Sequence, residues 1–319
     1  MKSKKEIGGY FELEFQKKGL YHKNAILLNS GRSCLEYILM TKKFRKIYLP
    51  HYICDSILEP VKKTDLIYSF YSIDEKFYPQ RTFNLKKNEA FLYVNYFGLC
   101  DKNVNKLKAI YKNLIVDNTQ AFFSKPKKDV DTFYSARKFL GVPDGGILYT
   151  NKKNEEEYDV DESYKRGMYL LKRIDVDASS GLKLFEENEI SLSNTDIKRM
   201  SKLTKSLLES IDYKEVIEKR NFNFNYLHTK LAEINELKLN WKKVNAPFAY
   251  PLLINKSGVR DKLIENKIYV PMLWKNVFKW TDADSWERVL TKYLLPIPID
   301  QRYNIKDMKR IITTLKSIL

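Results

Sequence analysis

Cysteine, histidine, glycine and proline are all scarce in this sequence, and each scarcity removes a class of protein. The three cysteines, Cys34, Cys54 and Cys100, stand far apart in apolar surroundings and are odd in number. That suits buried thiols in a reducing cytoplasm better than a disulfide framework or a metal site. The three histidines, His22, His51 and His228, share no metal-ligand spacing with one another or with a cysteine, and no Ser-His-Asp assembly stands at useful spacing, so metal chemistry and triad hydrolysis drop out. No apolar run reaches the ~18 residues of a membrane span. The opening stretch "MKSKKEIGGYFELEF" is charged throughout, unlike a signal peptide, so the expectation is a chain that works in the cytoplasm without touching a membrane. With 11 glycines and 10 prolines in 319 residues, each one carries positional information.

What is abundant is positive charge: 57 Lys and Arg against 40 Asp and Glu, a formal excess of +17. A basic surface is the usual footprint of nucleic-acid binding, yet here the lysines are spread through every segment beside acids. They cluster only briefly, as in "KSKK" at the start and "KPKK" at 125 to 128. The pattern reads as whole-chain compositional bias, which points away from a nucleic-acid partner and remains compatible with a basic pocket for a phosphorylated small molecule.

From about residue 30 the apolar pattern alternates. "SCLEYILMTKKF" reads as a helix, "KIYLP" as a strand, "ICDSILEPVKK" as a helix and "DLIYSFY" as a strand. "AFLYVNYFG" is a strand, "NVNKLKAIYK" a helix and "NLIVDN" a strand, each strand nearly continuously apolar, as strands covered on both faces are. Such alternation implies a mostly parallel sheet with right-handed crossovers. "DVDTFYSA" and "GGILYT" leave little room for a helix between them, which makes the sheet mixed. Beyond residue 150 polar helices follow. In residues 213 to 237, Tyr213, Val216, Ile217, Phe224, Leu227, Leu231 and Ile234 recur at helical spacing and read as packing. A smaller α/β unit comes last, with "FAYPLLI" and "KIYVPMLW" as strands, "SGVRDKLIEN" and "DSWERVLTKY" as helices, and a closing amphipathic helix from Asn304. The expected architecture is a three-layer large domain with a mostly parallel mixed sheet over residues 1–212 and a smaller α/β domain over 213–319.

Ligands of open α/β sheets bind beyond the carboxyl ends of the strands, and four places there carry chemistry. Ser30, Gly31, Arg32 and Ser33 immediately precede a helix, which makes either a plain N-cap or an anion site with Arg32 and two hydroxyls as donors. Asp117 ends a strand with Gln120 three residues on. It is either a turn former or an acid able to pair with a cationic ring nitrogen. Lys138 lies between an apolar strand and the turn "VPDGG". It either snorkels from an edge or, near a second cation such as Arg137, becomes a nucleophilic amine. In "PHYICDSI", Tyr52, and less so His51, is an ordinary packed residue or one that stacks on a flat ring.

Their order resembles that of pyridoxal-phosphate enzymes of the aspartate aminotransferase fold (fold type I), and within them the DegT/DnrJ/EryC1/StrS family of sugar aminotransferases. "IGGYFELE" is similar to that family's N-terminal segment, and "NSGRSCLEYIL" to its phosphate helix. "IVDNTQAFF" is similar to its Glu-Asp-x-x-Gln stretch, "YSARKFLGVPDGG" to its Schiff-base lysine with acidic Gly-Gly turn, and "LPIPIDQRY" to its C-terminal strand. The resemblance implies that Lys138 bonds pyridoxal phosphate and shuttles the proton of transamination. It further implies that Asp117 pairs with the pyridinium nitrogen, Gln120 meets the ring hydroxyl, Arg32 and Ser33 hold the phosphate, and Tyr52 stacks on the ring. Two departures stand out. Phe133 occupies the place of the family's serine five residues before the lysine, leaving Ser135 and Arg137 as the phosphate contacts to consider. In "NTDIKRMS", Ile197 replaces the asparagine that family members lend to a neighbouring subunit, with Asn194 as a weak substitute.

The resemblance therefore implies a homodimeric aminotransferase carrying an amino group from an amino acid, glutamate for instance, to a keto group of a nucleotide-linked sugar for surface polysaccharide or glycoconjugate synthesis. Relatives that dehydrate sugars carry histidine in the lysine's place, so Lys138 favours transamination. A non-catalytic basic binding protein on the same fold is the competing reading from another class.

Overall fold

The computed structural model describes residues 7–239, 241 and 243–319, so the "KSKK" cluster lies outside the described residues. The first strand, β1 (Ile26–Leu28), leads into α1 (Gly31–Lys42), and β2 (Lys46–Pro50) into α2 (Leu58–Lys63). Next come β3 (Ile67–Tyr71), β4 (Glu89–Val94), α3 (Asp101–Ile110), β5 (Leu114–Asp117), β6 (Asp131–Ser135) and β7 (Gly146–Tyr149). Four helices follow: α4 (Met168–Asp175), α5 (Leu182–Ser191), α6 (Lys202–Glu209) and α7 (Tyr213–Leu231). The chain ends with β8 (Tyr250–Leu253), α8 (Val259–Glu265), α9 (Val277–Trp280), α10 (Trp286–Tyr293), β9 (Leu294–Ile297) and α11 (Ile305–Ile318).

The seven-stranded sheet runs in the order β1-β7-β6-β5-β4-β2-β3. β3, β2, β4, β5 and β6 pair in parallel, while β7 is antiparallel to β6 and β1 antiparallel to β7. All four residues of β5 and all five of β6 are buried; β5 is an apolar run closed by Asp117, while β6 buries Asp131, Thr132 and Ser135 together with Phe133 and Tyr134. Helix α1 starts where the Ser30 hydroxyl accepts the Ser33 N–H, and it turns Cys34, Leu35, Ile38 and Leu39 into the core. The α11 start is closed by a reciprocal Asn304–Asp307 capping box.

A second, two-stranded antiparallel sheet pairs β8 with β9. Its core joins Phe224, Leu227 and Leu231 of α7 to Leu263 of α8 and to Met308, Ile312 and Leu315 of α11. The N-terminal part of α7 packs elsewhere, Val216 joining Phe122, Phe139 and Met200. Two expectations need correction. Residues 267 to 274 form no strand, because Val270 and Ile268 are buried individually in an irregular segment interrupted by a left-handed Lys267. Of the three cysteines, Cys34 and Cys100 are buried but Cys54 is only half-buried. β1 went unread because three residues are too few to show a period. Among the described residues no helix is long and apolar enough to cross a membrane, and no cluster of His, Cys, Asp and Glu could hold a metal.

Candidate active site

Parallel pairing sets Asp117 opposite Phe133, so β5 and β6 finish at the same edge of the sheet. Asp117 is 6% exposed, and its Oδ1 accepts the N–H of Thr119 at 2.8 Å. Beyond Ser135 a single tight turn, Ala136–Lys138, reverses the chain, with the Ala136 N–H on the carbonyl of Gly145 at 2.9 Å. The turn aims Lys138 back at β5, where its Nζ donates to Thr119 Oγ1 at 2.9 Å. Burial pushes the Asp117 carboxyl above the usual carboxylate range, opposed by the charge of Lys138 and by the hydrogen bonds of Thr119.

The Gly-Gly turn brings a third element to this place. Gly145 sits at φ +122 and donates its N–H to the Asn29 carbonyl at 2.7 Å, while a side chain at Gly146 would overlap the carbonyl of Ser30. Only glycine lets β7 lie this close to the β1–α1 junction. Buried Asp144 anchors the turn by accepting from the Ser201 N–H and Oγ–H and from Thr204 Oγ1. On the other side of the junction, a Cβ at Gly31 would be 3.4 Å from the Thr119 methyl. Thr119 therefore stands between the start of α1 and Lys138.

Ser135 is buried in this neighbourhood, and its hydroxyl makes no hydrogen bond among the described residues. Gln120 turns its Oε1 to the N–H of Phe97 at 3.1 Å, which supports the turn after β4. The expected phosphate donors on α1 are engaged by protein. Ser33 donates to Asn29 Oδ1 at 2.7 Å. Arg32 bonds the carbonyls of Leu192 and Glu189 and the Ser193 hydroxyl, and lies 3.4 Å from Glu59. Arg137 makes a two-pronged ion pair with Glu189 of α5. Tyr52 is not brought into the group. It lies past the end of β2, fully buried, stacked on Tyr96 and edge-on to Trp274, so neither ring face is open to a ligand. Asn194 is exposed and left-handed, its N–H held by Glu59.

Lys138 is solvent-exposed and stands in the wall of a cavity of about 650 Å³ between the β6 edge, α4, α5 and the loop after β9. Arg137, Arg173, Arg220 and Arg302 share the wall with one carboxylate, Asp300. Burial alone would raise Asp300, but the Arg302 guanidinium, bonded at 2.7 Å, holds it below the usual range. Sequence reading missed Thr119, Glu189 and Arg220. Thr119 is screened by its more telling neighbours, and Glu189 looks like any helix-surface acid. Arg220 had a signal, because it falls at core-facing spacing between Val216 and Phe224 and is buried.

No family model and no curated protein matches the chain. Solved structures do. A DegT DnrJ EryC1 StrS aminotransferase from Brucella abortus matches at 15% identity over 94% of this chain and 87% of its own, with a TM-score of 0.62. The sugar aminotransferase CalS13 from Micromonospora echinospora matches at 14% identity over 92% and 87%, TM-score 0.63. NtdA from Bacillus subtilis, solved with bound cofactor PMP, matches at 14% identity over 92% and 73%, TM-score 0.65. The chain has the fold of the pyridoxal-phosphate-dependent aminotransferases of fold type I.

Proposed function

We propose that this chain is a pyridoxal-phosphate-dependent aminotransferase that moves an amino group from an amino acid, glutamate as the expected donor, to a keto group of a nucleotide-linked sugar for polysaccharide or glycoconjugate synthesis. The observation that carries the reading is the convergence of Lys138, Thr119 and buried Asp117 on one sheet edge beside the start of α1.

The residues fit the cofactor. A buried carboxylate with no arginine or lysine in ion-pair contact among the described residues suits a ring nitrogen that carries a proton. Ser135, without a hydrogen-bond partner among the described residues, offers a hydroxyl to the phosphate, and Gln120 keeps its amide N–H₂ for the ring hydroxyl. When bound, the cofactor supplies an electron sink next to the amino-acid carbon. Asp117 would hold the proton on the ring nitrogen, and the low-dielectric setting strengthens that contact. Lys138 Nζ, parked on Thr119 Oγ1, reaches the cavity on its four-carbon stem and carries the proton from one reacting carbon to the other. Arg173 and Arg302, the exposed arginines of the cavity wall, suit the diphosphate of a sugar nucleotide. A homodimer agrees with the apolar Met168, Leu171 and Ile174 that α4 leaves exposed at three-residue spacing.

The purified protein is expected to retain a yellow cofactor that borohydride fixes to Lys138 and that Lys138→Ala abolishes. Glutamate should bleach it and one member of a keto-sugar-nucleotide panel restore it. A wild-type protein that takes up no pyridoxal phosphate sinks the reading.

A further inference from the structure

Two side chains from the C-terminal third of the chain close on the peptide group that follows Phe139, one residue beyond Lys138. Arg220 of α7 donates Nη2 to the Phe139 carbonyl at 3.2 Å, and Gln301 donates Nε2 to the same oxygen at 2.9 Å. Gln301 Oε1 in turn accepts from Arg220 Nε at 3.0 Å. The guanidinium lies 4.6 Å from the Phe139 ring centroid, and Nη1 donates to the carbonyls of Pro247 and Phe248 at 3.0 and 3.3 Å. From there the path continues. The Phe248 N–H bonds the Phe97 carbonyl at 2.9 Å, and the Phe97 N–H bonds Gln120 Oε1 at 3.1 Å. An unbroken hydrogen-bonded route thus joins the backbone beside Lys138 to Gln120, with Arg220 as its junction.

Arg220 is 2% exposed and makes no ion pair among the described residues. Burying a guanidinium on carbonyls alone is costly, and a hydrophobe of similar volume would pack α7 at less expense. What the hydrophobe lacks is a planar fork of donors that fixes three backbone carbonyls at once.

We propose that Arg220, keyed by Gln301, is a positioning residue that holds Lys138 against Thr119 and Asp117. The inference rests on the assignment of Lys138 as the cofactor-binding lysine.

The test uses the full cofactor-free chain, incubated with pyridoxal phosphate, reduced with borohydride and digested, so that mass spectrometry reads the labelling of Lys138 against surface lysines. Arg220→Met should slow labelling of Lys138 about tenfold while surface lysines label as before, since small misplacements of a reacting group cost this much or more. Arg220→Lys should recover part of the loss. Gln301→Leu, which keeps the cation and removes both Gln301 bonds, should slow Lys138 by about threefold and serves if Arg220→Met does not fold. Wild-type labelling of Lys138 in a folded Arg220→Met, or in Gln301→Leu where only that variant folds, overturns the inference. Absence of labelling at Lys138 in the wild type is a different failure, that of the lysine assignment and of everything built on it.

Discussion

Lys138 Nζ and Thr119 Oγ1 stand 2.9 Å apart, tying the turn after β6 to the turn after β5. Thr119 reports on both ends of the site, because its backbone N–H bonds Asp117 while its hydroxyl receives the amine. Thr119→Val keeps the shape and the backbone bond and deletes only the hydroxyl. Lys138 should then be captured by pyridoxal phosphate about fivefold more slowly, the ~1 kcal/mol of a hydrogen bond partly open to water. Thermal unfolding should move little. Stopped-flow absorbance of cofactor uptake checks the rate, and an unchanged rate would mean that Thr119 plays no part in placing the amine.

Gly146 tests the backbone side of the same site. Any side chain there meets the carbonyl of Ser30 and the sulfur of buried Cys34, and neither the strand β7 nor the start of α1 can yield without moving the other. Gly146→Ala should cost about 3 kcal/mol or more, at the upper end of overpacking effects. Urea unfolding followed by circular dichroism measures it. A loss below about 1 kcal/mol would show that the junction relaxes freely, contrary to the close-packed interior expected here.

Much of this arrangement is legible in the sequence because the strands that carry it are buried on both faces. A continuous apolar run locates β5, and Asp117, which ends it, stands out by contrast; β6 is marked by its Phe133-Tyr134 pair ahead of Ser135. The turn chemistry of Gly145 and Gly146 is equally plain. What the sequence hides is who holds each charge. Arg32 and Arg137 read as free phosphate donors, yet α5 engages both, through main-chain carbonyls and through Glu189. Nothing in a polar helix 50 residues downstream announces such a partner. Tyr52 is ambiguous in the sequence for the opposite reason: an aromatic residue after a strand looks the same whether Trp274, far along the chain, covers it or a ligand does. Among the strands, the irregular 267–274 stretch shows that apolar β-branched residues alone do not make a ladder when no neighbouring strand is offered.

His22 gives the fold a pH signature. Its Nε2 lies 2.8 Å from the Phe122 carbonyl, its ring is enclosed by Phe122, Tyr134 and Tyr149, and burial lowers its pKa from 6.5 to about 4. Between those values the unfolded chain binds the proton and the folded chain does not, so stability is whole above pH 6.5 and is lost as pH falls toward 4. The full window is worth about 3 kcal/mol. Denaturant unfolding at pH 7, 5.5 and 4 should show the wild type losing about that much more than His22→Gln. Parallel losses in the two proteins would mean that His22 takes up its proton without unfolding anything.

The Arg137–Glu189 pair bears on how the site receives a phosphate. Glu189 is 39% exposed at its side chain, so the pair adds at most about 1 kcal/mol to folding, and Glu189→Gln should leave the unfolding midpoint nearly unchanged. Its effect on ligand should be larger in proportion. A phosphate that reaches Arg137 has to share the guanidinium with a carboxylate of the same sign, and the glutamine removes that competition while keeping the side chain's size. Pyridoxal phosphate should therefore bind Glu189→Gln several-fold more tightly at low salt, about 1 kcal/mol, with the gain shrinking as salt screens the repulsion. Pyridoxal without its phosphate should bind both proteins alike. Equilibrium titration of the two ligands separates the cases. Weaker binding of the phosphorylated form would show that Glu189 holds Arg137 in the pose the ligand needs, making α5 a part of the phosphate site instead of its competitor.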